Sequence, residues 1–325
     1  MDSPFPLRAL RRAIIPRRPN ALGHAAVLAA ATLLIAAAPP ETPPSAASPA
    51  PEMPQFAHWI DGTMGAEPET QVQAIDADTF VIRQSVKTNF EAPFLHLIFG
   101  QDKVLLIDTG AGGLKVRPAV DQVIAQWQAA HGGRPVHLVV AHSHSHGDHH
   151  QGDDEFRDRP DTDVVGLKPE EVAAYFGVKD WPNNVAPFGL GGRVVDIIPT
   201  PGHEPAHIMV YDARTQLLFS GDMLYPGRLY FPRNKLAVFQ ASAHRLAAFA
   251  ATHPIRALLG AHIEMTTTPQ QDYPMEAPSH PSEHPLTLPP SVIGELDQGL
   301  TAMGTTPVLE RHKDFIIYPV EPRAE

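Results

Sequence analysis

Short apolar runs alternate with turn residues and with longer amphipathic segments from about residue 72 onward. Apolar runs bounded by turn residues are typical of strands, whereas apolar residues three and four positions apart are typical of helices. The pattern predicts strands at 79–84, 94–99, 103–108, 136–141, 194–198, 207–211, 216–220, 256–260 and 315–318. It predicts helices at 115–130, 235–252 and 291–302. Two β-rich halves that each carry helices favour a layered α/β sandwich.

The first 38 residues follow a different pattern. Five arginines lie within residues 8–18, and residues 21–38 form a nearly uncharged run rich in alanine and leucine. This layout predicts a secretory signal peptide over residues 1–38, and its Arg11-Arg12 pair resembles a twin-arginine export signal. We therefore predict an exported protein of the bacterial periplasm. The alternative is a membrane anchor formed by residues 21–38, which are just long enough to span a bilayer.

Two stretches of the chain are rich in proline. Residues 39–54 hold seven prolines, and residues 269–290 hold seven more. The first stretch predicts a Pro/Ala-rich linker over residues 39–71, before a single domain over residues 72–325. The second predicts a long loop over residues 266–290, and long loops beside a site often take part in function.

Composition and charge exclude several classes of function. The chain is 43% hydrophobic, which is enough to bury a sizeable core, and it has no cysteine. Disulfides, thiolate metal sites and a cysteine nucleophile are therefore excluded, so any metal must bind through nitrogen and oxygen. The formal charge is −11, of which residues 1–40 contribute +4, leaving −15 for the rest. A body this acidic repels phosphate backbones, so we predict no nucleic-acid partner.

Histidines are concentrated at one point of the chain. Residues 141–150 (AHSHSHGDHH) hold five histidines and one aspartate directly after a predicted strand. His144 and His146 are two positions apart, so an extended backbone points both imidazoles the same way. Asp148 and His149 are adjacent, and a turn can direct them to a second point. This spacing predicts ligands for two metal ions.

The His-x-His-x-Asp-His segment resembles the signature of the metallo-β-lactamase superfamily. Four further segments resemble motifs of that family and follow in the expected order, at the ends of predicted strands. They are VLLIDTG at 104–110, TPGH at 200–203, SGD at 220–222 and GAH at 260–262. The resemblance covers roughly residues 79–262. It implies an α/β fold of four layers in the order αβ/βα, with two β-sheets flanked by helices.

The resemblance also implies a metal site at the cleft between the two sheets. The ligands so implied are His144, His146 and His203 for one metal, Asp148, His149 and His262 for the other, and Asp222 as a bridge. Asp108 would orient ligands without touching metal. Two zinc ions are the expected cofactors, and iron and manganese also suit imidazole and carboxylate ligands.

The same resemblance implies a metal-dependent hydrolase in which a metal-activated hydroxide attacks a carbonyl carbon. Asp148 would steer the hydroxide or carry a proton. The better-known zinc β-lactamases have Cys or Ser where this chain has Asp222, which favours the lactonase and glyoxalase II-like groups. A lactone or other carboxylic ester is therefore the expected substrate. The alternatives are β-lactam or thioester hydrolysis, and a persulfide-dioxygenase-like reaction on one iron.

Three residues that follow Asp222 in the sequence are candidate substrate contacts, namely Tyr225, Arg228 and Tyr230. Tyr225 stands where acyl-homoserine-lactone lactonases have a tyrosine that hydrogen-bonds the substrate, so we predict a catalytic and substrate-binding role for it. Arg228 and Tyr230 are expected in the same loop above the metals, with Arg228 offering a cation to a substrate carboxylate. The expected partner is a small molecule, with no stable membrane span once the leader is cleaved. The sequence sets no oligomeric state.

Overall fold

The computed structural model describes residues 52–322 of the chain. The predicted signal peptide, residues 1–38, lies outside this range, as does the first part of the predicted linker. Export therefore stays a prediction. No helix among residues 52–322 combines the length and the apolar character needed to cross a membrane.

Two six-stranded sheets form the centre of the fold. The strands of the first sheet, in spatial order, are β1 (Thr70–Asp76), β2 (Thr79–Gln84), β3 (Phe94–Phe99), β4 (Lys103–Ile107), β5 (His137–Ala141) and β6 (Thr162–Val164). The second sheet is made of β7 (Ala186–Gly189), β8 (Val194–Pro199), β9 (Ile208–Asp212), β10 (Leu217–Gly221), β12 (Ala257–Gly260) and β13 (Thr287–Leu288), which neighbour one another in that order. Strand β4 is parallel to β5, and β10 is parallel to β12, so each pair ends at one edge of its sheet.

A third, three-stranded sheet joins the late part of the chain to the second half of the domain. Its strands are β11 (Arg228–Pro232), β14 (Glu310–Arg311) and β15 (Ile316–Val320). The described helices are α1 (Arg117–Ala130), α2 (Gly147–His150), α3 (Pro169–Phe176), α4 (Leu236–Ala250) and α5 (Ser291–Met303). Helix α1 begins two residues later than predicted, with Pro118 in its first turn, where proline is well tolerated.

The layers pack through three apolar cores. Helix α1 covers one face of the first sheet, with Val120 and Trp127 against residues such as Leu97. The other face of that sheet packs on the second sheet, where side chains such as Val139 and Val210 meet. Helices α4 and α5 cover the outer face of the second sheet. The predicted α/β fold, two sheets flanked by helices in four layers, is confirmed.

Several elements differ from the predicted pattern. Strands β1, β6, β7, β11, β13 and β14 and helices α2 and α3 were not predicted from the local sequence. Strand β11 corrects the expectation of a loop after Tyr225, because residues 228–232 pair in parallel with Ile316–Val320. That pairing joins residues far apart in sequence, so the apolar pattern around residue 228 carries no local sign of it.

The folded body begins before residue 72, within the segment predicted as linker. Trp59 is buried, and its ring meets the ring of Phe94 edge to face with centroids 5.1 Å apart. The backbone N–H of Ile60 donates to Oε1 of Gln71 at 2.7 Å. The described part of the predicted linker is thus packed onto the first sheet.

A buried ion pair attaches the proline-rich loop, residues 266–290, to the first sheet. Arg83 on β2 donates two hydrogen bonds to the carboxylate of Glu283, at 2.6 and 2.5 Å. The exposed fractions of the two side chains are 0% and 6%. Glu283 also lies 3.1 Å from Nδ1 of His280, whose ring stacks on Tyr273. These contacts fix the loop at its base.

We expect Glu283→Gln to lower the free energy of unfolding by about 3–5 kcal/mol, because it removes the carboxylate that is paired directly with the buried Arg83 charge. The matched control is Asp154→Asn, which removes the carboxylate of a pair that is 59% and 93% exposed, and should change stability by less than about 1 kcal/mol. Urea unfolding of the full chain measures both. Equal effects of the two substitutions would contradict a structural role for the buried pair.

Candidate metal centre

The predicted ligands follow the ends of strands in both sheets. Strand β5 ends at Ala141 and leads to the histidine cluster, whose second half is the short helix α2. In the second sheet, β8, β10 and β12 each end shortly before one predicted ligand. Those ligands are His203, Asp222 and His262. Because the two sheets face each other, their strand ends bring these side chains together.

The first group of candidate ligands consists of His144, His146 and His203. Nε2 of His144 lies 2.9 Å from Nδ1 of His146. Nε2 of His203 lies 3.1 Å from Nε2 of His144 and 3.0 Å from Nδ1 of His146. Three imidazole nitrogens therefore point at one centre.

The second group consists of Asp148, His149, Asp222 and His262. Oδ2 of Asp148 lies 3.1 Å from Nε2 of His149 and 3.3 Å from Nε2 of His262. The two Nε2 atoms are 3.3 Å apart. These three atoms and the Asp222 carboxylate surround a second centre.

Asp222 joins the two groups. Its Oδ2 lies 3.8 Å from Nε2 of His144 and 3.7 Å from Nε2 of His203, which belong to the first group. The same oxygen is 3.5 Å from Nε2 of His149, and Oδ1 is 3.4 Å from Nε2 of His262, both in the second group. Oδ1 is buried and has no hydrogen-bond partner within residues 52–322. A carboxylate in this position is suited to bridge two cations.

The spacing of these atoms fits first-row divalent metals. Nitrogen or oxygen ligands held about 2.0–2.1 Å from a tetrahedral centre are separated from one another by about 3.3 Å. The separations of 3.1 to 3.3 Å in the second group match that value, and those in the first group are slightly shorter. The unpartnered Oδ1 of Asp222 is a further sign that a cation completes the site.

The outward-facing ring nitrogens of three ligands are held by protein acceptors. Nδ1 of His149 donates to Oδ2 of Asp108 at 3.0 Å. Nδ1 of His203 donates to the carbonyl oxygen of Tyr230, and Nδ1 of His262 donates to that of Glu91, at 2.6 and 2.8 Å. Each bond directs Nε2 of its ring toward the cluster and fixes the tautomer that can bind a metal.

The backbone at Asp222 is held by a histidine that is not one of the predicted ligands. The Asp222 N–H donates to Nε2 of His207 at 3.1 Å, and Nδ1 of His207 lies 2.8 Å from the Thr200 hydroxyl. Gly221 has a φ of +50°, and a Cβ at this position would lie 2.8 Å from His207 and from Ser143. Only glycine allows the strand to turn this tightly before Asp222.

The electrostatics of the second group indicate a deficit of positive charge. Burial alone would raise the pKa of Asp222, but the charges of His262 and His149 hold it well below its usual range. Burial lowers the pKa of His262, yet the Asp222 and Asp148 carboxylates outweigh this effect and raise it to about 10. In the first group, burial lowers the pKa of His203 to about 4, which favours the neutral imidazole that a metal requires.

A family model described as the metallo-beta-lactamase superfamily matches residues 91–251. The chain belongs to this superfamily. A hydroxyacylglutathione hydrolase from Rhizobium meliloti (strain 1021) is 29% identical over 118 residues, which make up 35% of this chain and 43% of that protein. The superfamily match includes six of the seven predicted ligands, all but His262. The chain matches less than half the length of the Rhizobium relative.

Solved structures of metallo-β-lactamases also resemble the chain. One from Pontibacter korlensis has 18% identity over 71% of this chain and 99% of that chain, with a TM-score of 0.46. FIM-1 from Pseudomonas aeruginosa, in its mono-zinc form, has 14% identity over 73% of this chain and 98% of that chain, with a TM-score of 0.47.

The three predicted substrate contacts differ in their surroundings. The Tyr225 hydroxyl donates to the Arg228 carbonyl oxygen at 2.6 Å and lies 3.0 Å from Oε2 of Glu264, so its role toward substrate stays a prediction. Arg228 corrects the expectation of a cation available to substrate: its guanidinium is paired with Glu264 at 3.1 Å and with Asp272 at 2.7 Å. Tyr230 lines the cavity above the cluster, and its carbonyl positions His203.

Several contributors to the site carry no sequence signal. The carbonyl groups of Glu91 and Tyr230 act through the main chain, so the type of residue says nothing about their role. Phe90 and Met275 line the cavity from segments that the sequence leaves unconnected to the histidine motifs. The proline-rich loop was the one indication, and it does supply part of the cavity wall.

We expect Asp108→Asn to weaken zinc binding by about 10–100-fold, because asparagine has one acceptor oxygen and cannot accept from both the Ser143 N–H and Nδ1 of His149, as the two carboxylate oxygens do. The matched control is Asp153→Asn, which removes a buried carboxylate oxygen 2.8 Å from His142, a histidine outside both ligand groups. Competition with a chromophoric chelator gives the Kd of each variant. A loss of affinity of the same size in both variants would show that Asp108 acts only on overall stability.

Proposed function

We propose that the protein is a metal-dependent hydrolase that holds two divalent metals, with zinc as the expected ion, and cleaves a lactone or other carboxylic ester. The observation that carries this proposal is the position of the Asp222 carboxylate between two groups of candidate ligands. One metal would be held by His144, His146 and His203, and the other by Asp148, His149 and His262.

When bound, such a metal pair would lower the pKa of a bound water so that hydroxide is available at neutral pH, and it would polarise a carbonyl oxygen. The chain's own contribution is to position ligands and to move protons. Asp148 is our proposed proton carrier, because its side chain is 21% exposed toward the cavity whereas that of Asp222 is 8% exposed. Asp108 would hold the His149 ring in place without facing substrate.

Water is restricted at the floor of the cavity by the same packing that holds the ligands. His144 and His149 are fully buried, and His203 and His262 are nearly so. A substrate carbonyl can therefore approach only from the cavity side, past Asp148 and His146. This one-sided access orients the scissile bond relative to the ligand cluster.

Thioester hydrolysis is the second candidate, because the similar Rhizobium protein is named hydroxyacylglutathione hydrolase. Both candidates require attack on an acyl carbon and differ in the leaving atom, oxygen or sulfur. The ligand groups serve either reaction equally, so the cavity walls must distinguish the substrates.

Metal content and activity of the full chain test the proposal together. We expect elemental mass spectrometry to find about two zinc ions per chain, and a panel of lactones, esters, thioesters and β-lactams to show hydrolysis of an ester or lactone. His146→Ala should lower kcat/KM by roughly a thousandfold or more, since it removes one of three ligands from the first group. The control is His244→Ala, because the His244 side chain is 79% exposed.

Two outcomes would contradict the proposal. One iron per chain with consumption of oxygen would assign the site to oxidation. Unchanged turnover in the His146→Ala variant would separate catalysis from the ligand cluster.

A further inference from the structure

A cavity of about 580 Å³ opens directly above the ligand cluster, and its wall carries exposed apolar side chains. His146, Asp148 and His262 lie at its floor. Phe90 is 42% exposed and Met275 is 69% exposed, and both line the cavity. Large apolar side chains left exposed beside a cleft mark a surface that an apolar ligand covers.

The cavity offers little positive charge to an anionic ligand. Among the described residues that line it, the Lys and Arg side chains are Arg228 and Lys235. Arg228 is 5% exposed; it is paired with Glu264 and Asp272 and donates a further hydrogen bond to the Tyr273 carbonyl. The positive charge of Arg228 is therefore neutralised by carboxylates of the protein itself.

Acidic side chains outnumber these cations on the cavity wall. Besides the predicted ligands, the carboxylates that line it belong to Glu91, Glu204, Glu264, Glu276 and Glu321. Glu264 is paired with Arg228, and Glu321 lies 3.6 Å from Arg233, so Glu91, Glu204 and Glu276 are the acidic residues of this set without an ion pair among the described residues. Glu276 and Glu321 are exposed, whereas Lys235 is the one exposed cation among the described lining residues. An anionic group placed away from the ligand cluster would meet a surface of its own sign.

We propose that this cavity selects esters or lactones with a neutral, apolar acyl group and disfavours substrates that carry an anionic group away from the scissile carbonyl. This inference rests on the proposed ester hydrolysis and adds its substrate class. It separates the chain from hydrolysis of glutathione thioesters, because glutathione carries carboxylates that would need cations along the wall.

A matched pair of substrates tests the preference on the full-length holoenzyme. The pair consists of the phenyl esters of hexanoic acid and of ω-sulfohexanoic acid, which differ by one terminal charge; sulfonate is a weak metal ligand. The corresponding anilides, which resist hydrolysis, give dissociation constants by calorimetry without turnover. We expect the neutral ester to have about tenfold higher kcat/KM and the neutral anilide to bind about tenfold more tightly.

Variants locate the preference in the cavity wall. Glu276→Lys should reduce the ratio of the binding affinities for the neutral and the anionic anilide by roughly threefold. Added salt should reduce the same ratio for the unsubstituted protein. The matched control is Glu170→Lys, an exposed glutamate on α3 that does not line the cavity. Met275→Ser should weaken binding of the neutral anilide by roughly threefold.

The outcomes separate this inference from the function on which it rests. Absence of ester hydrolysis with a retained tenfold preference among the anilides would overturn the proposed function and support the inference. Equal binding of the two anilides, tighter binding of the sulfonate, or binding of neither would overturn the inference. Equal responses to Glu276→Lys and Glu170→Lys would also overturn it, because the preference would then not arise from the cavity wall.

Discussion

The buried carboxylate of Asp222 lies between two groups of ligand atoms, and the neutralisation of its charge is the constraint on which the site depends. A lone carboxylate at this depth would carry a large desolvation cost. His262 and His149 reduce that cost by lying within 3.5 Å of its oxygens, but Oδ1 still has no hydrogen-bond partner within residues 52–322. Cations bound at the two centres would remove the remaining cost, so metal binding and the stability of this region are coupled.

This constraint explains why the ligands come from both sheets. The first sheet supplies the segment after β5, and the second supplies single residues after β8, β10 and β12. The apolar core between the sheets sets the distance between the two strand edges, because side chains such as Val139 and Val210 interdigitate there. Acceptors behind the ligands, such as Asp108 for His149, then fix each ring. Geometry at the centre thus depends on packing throughout the domain.

The walls of the cavity are set by a second network, in which Arg228 alone lies within the superfamily match at residues 91–251. Arg83 and Glu283 attach the proline-rich loop, and Arg228 ties Glu264 to Asp272. In these pairs the guanidinium charges of Arg83 and Arg228 are neutralised by carboxylates of the protein. The surface left to face a ligand is therefore apolar and acidic. In our proposals, the floor of the cavity would carry the reaction and its wall would select the substrate.

The sequence alone predicted the strand-and-helix order of most of the domain from local patterns, and it predicted the candidate ligands from the histidine spacing and the family resemblance. Strands 79–84 and 94–99 follow from their apolar runs, and His144 and His146 follow from spacing two apart. Only the tertiary structure decided which side chains face the cavity. Arg228 looks like an available cation in the sequence, but its partners lie 36 and 44 residues away, and no local pattern reports a charge neutralised across that separation.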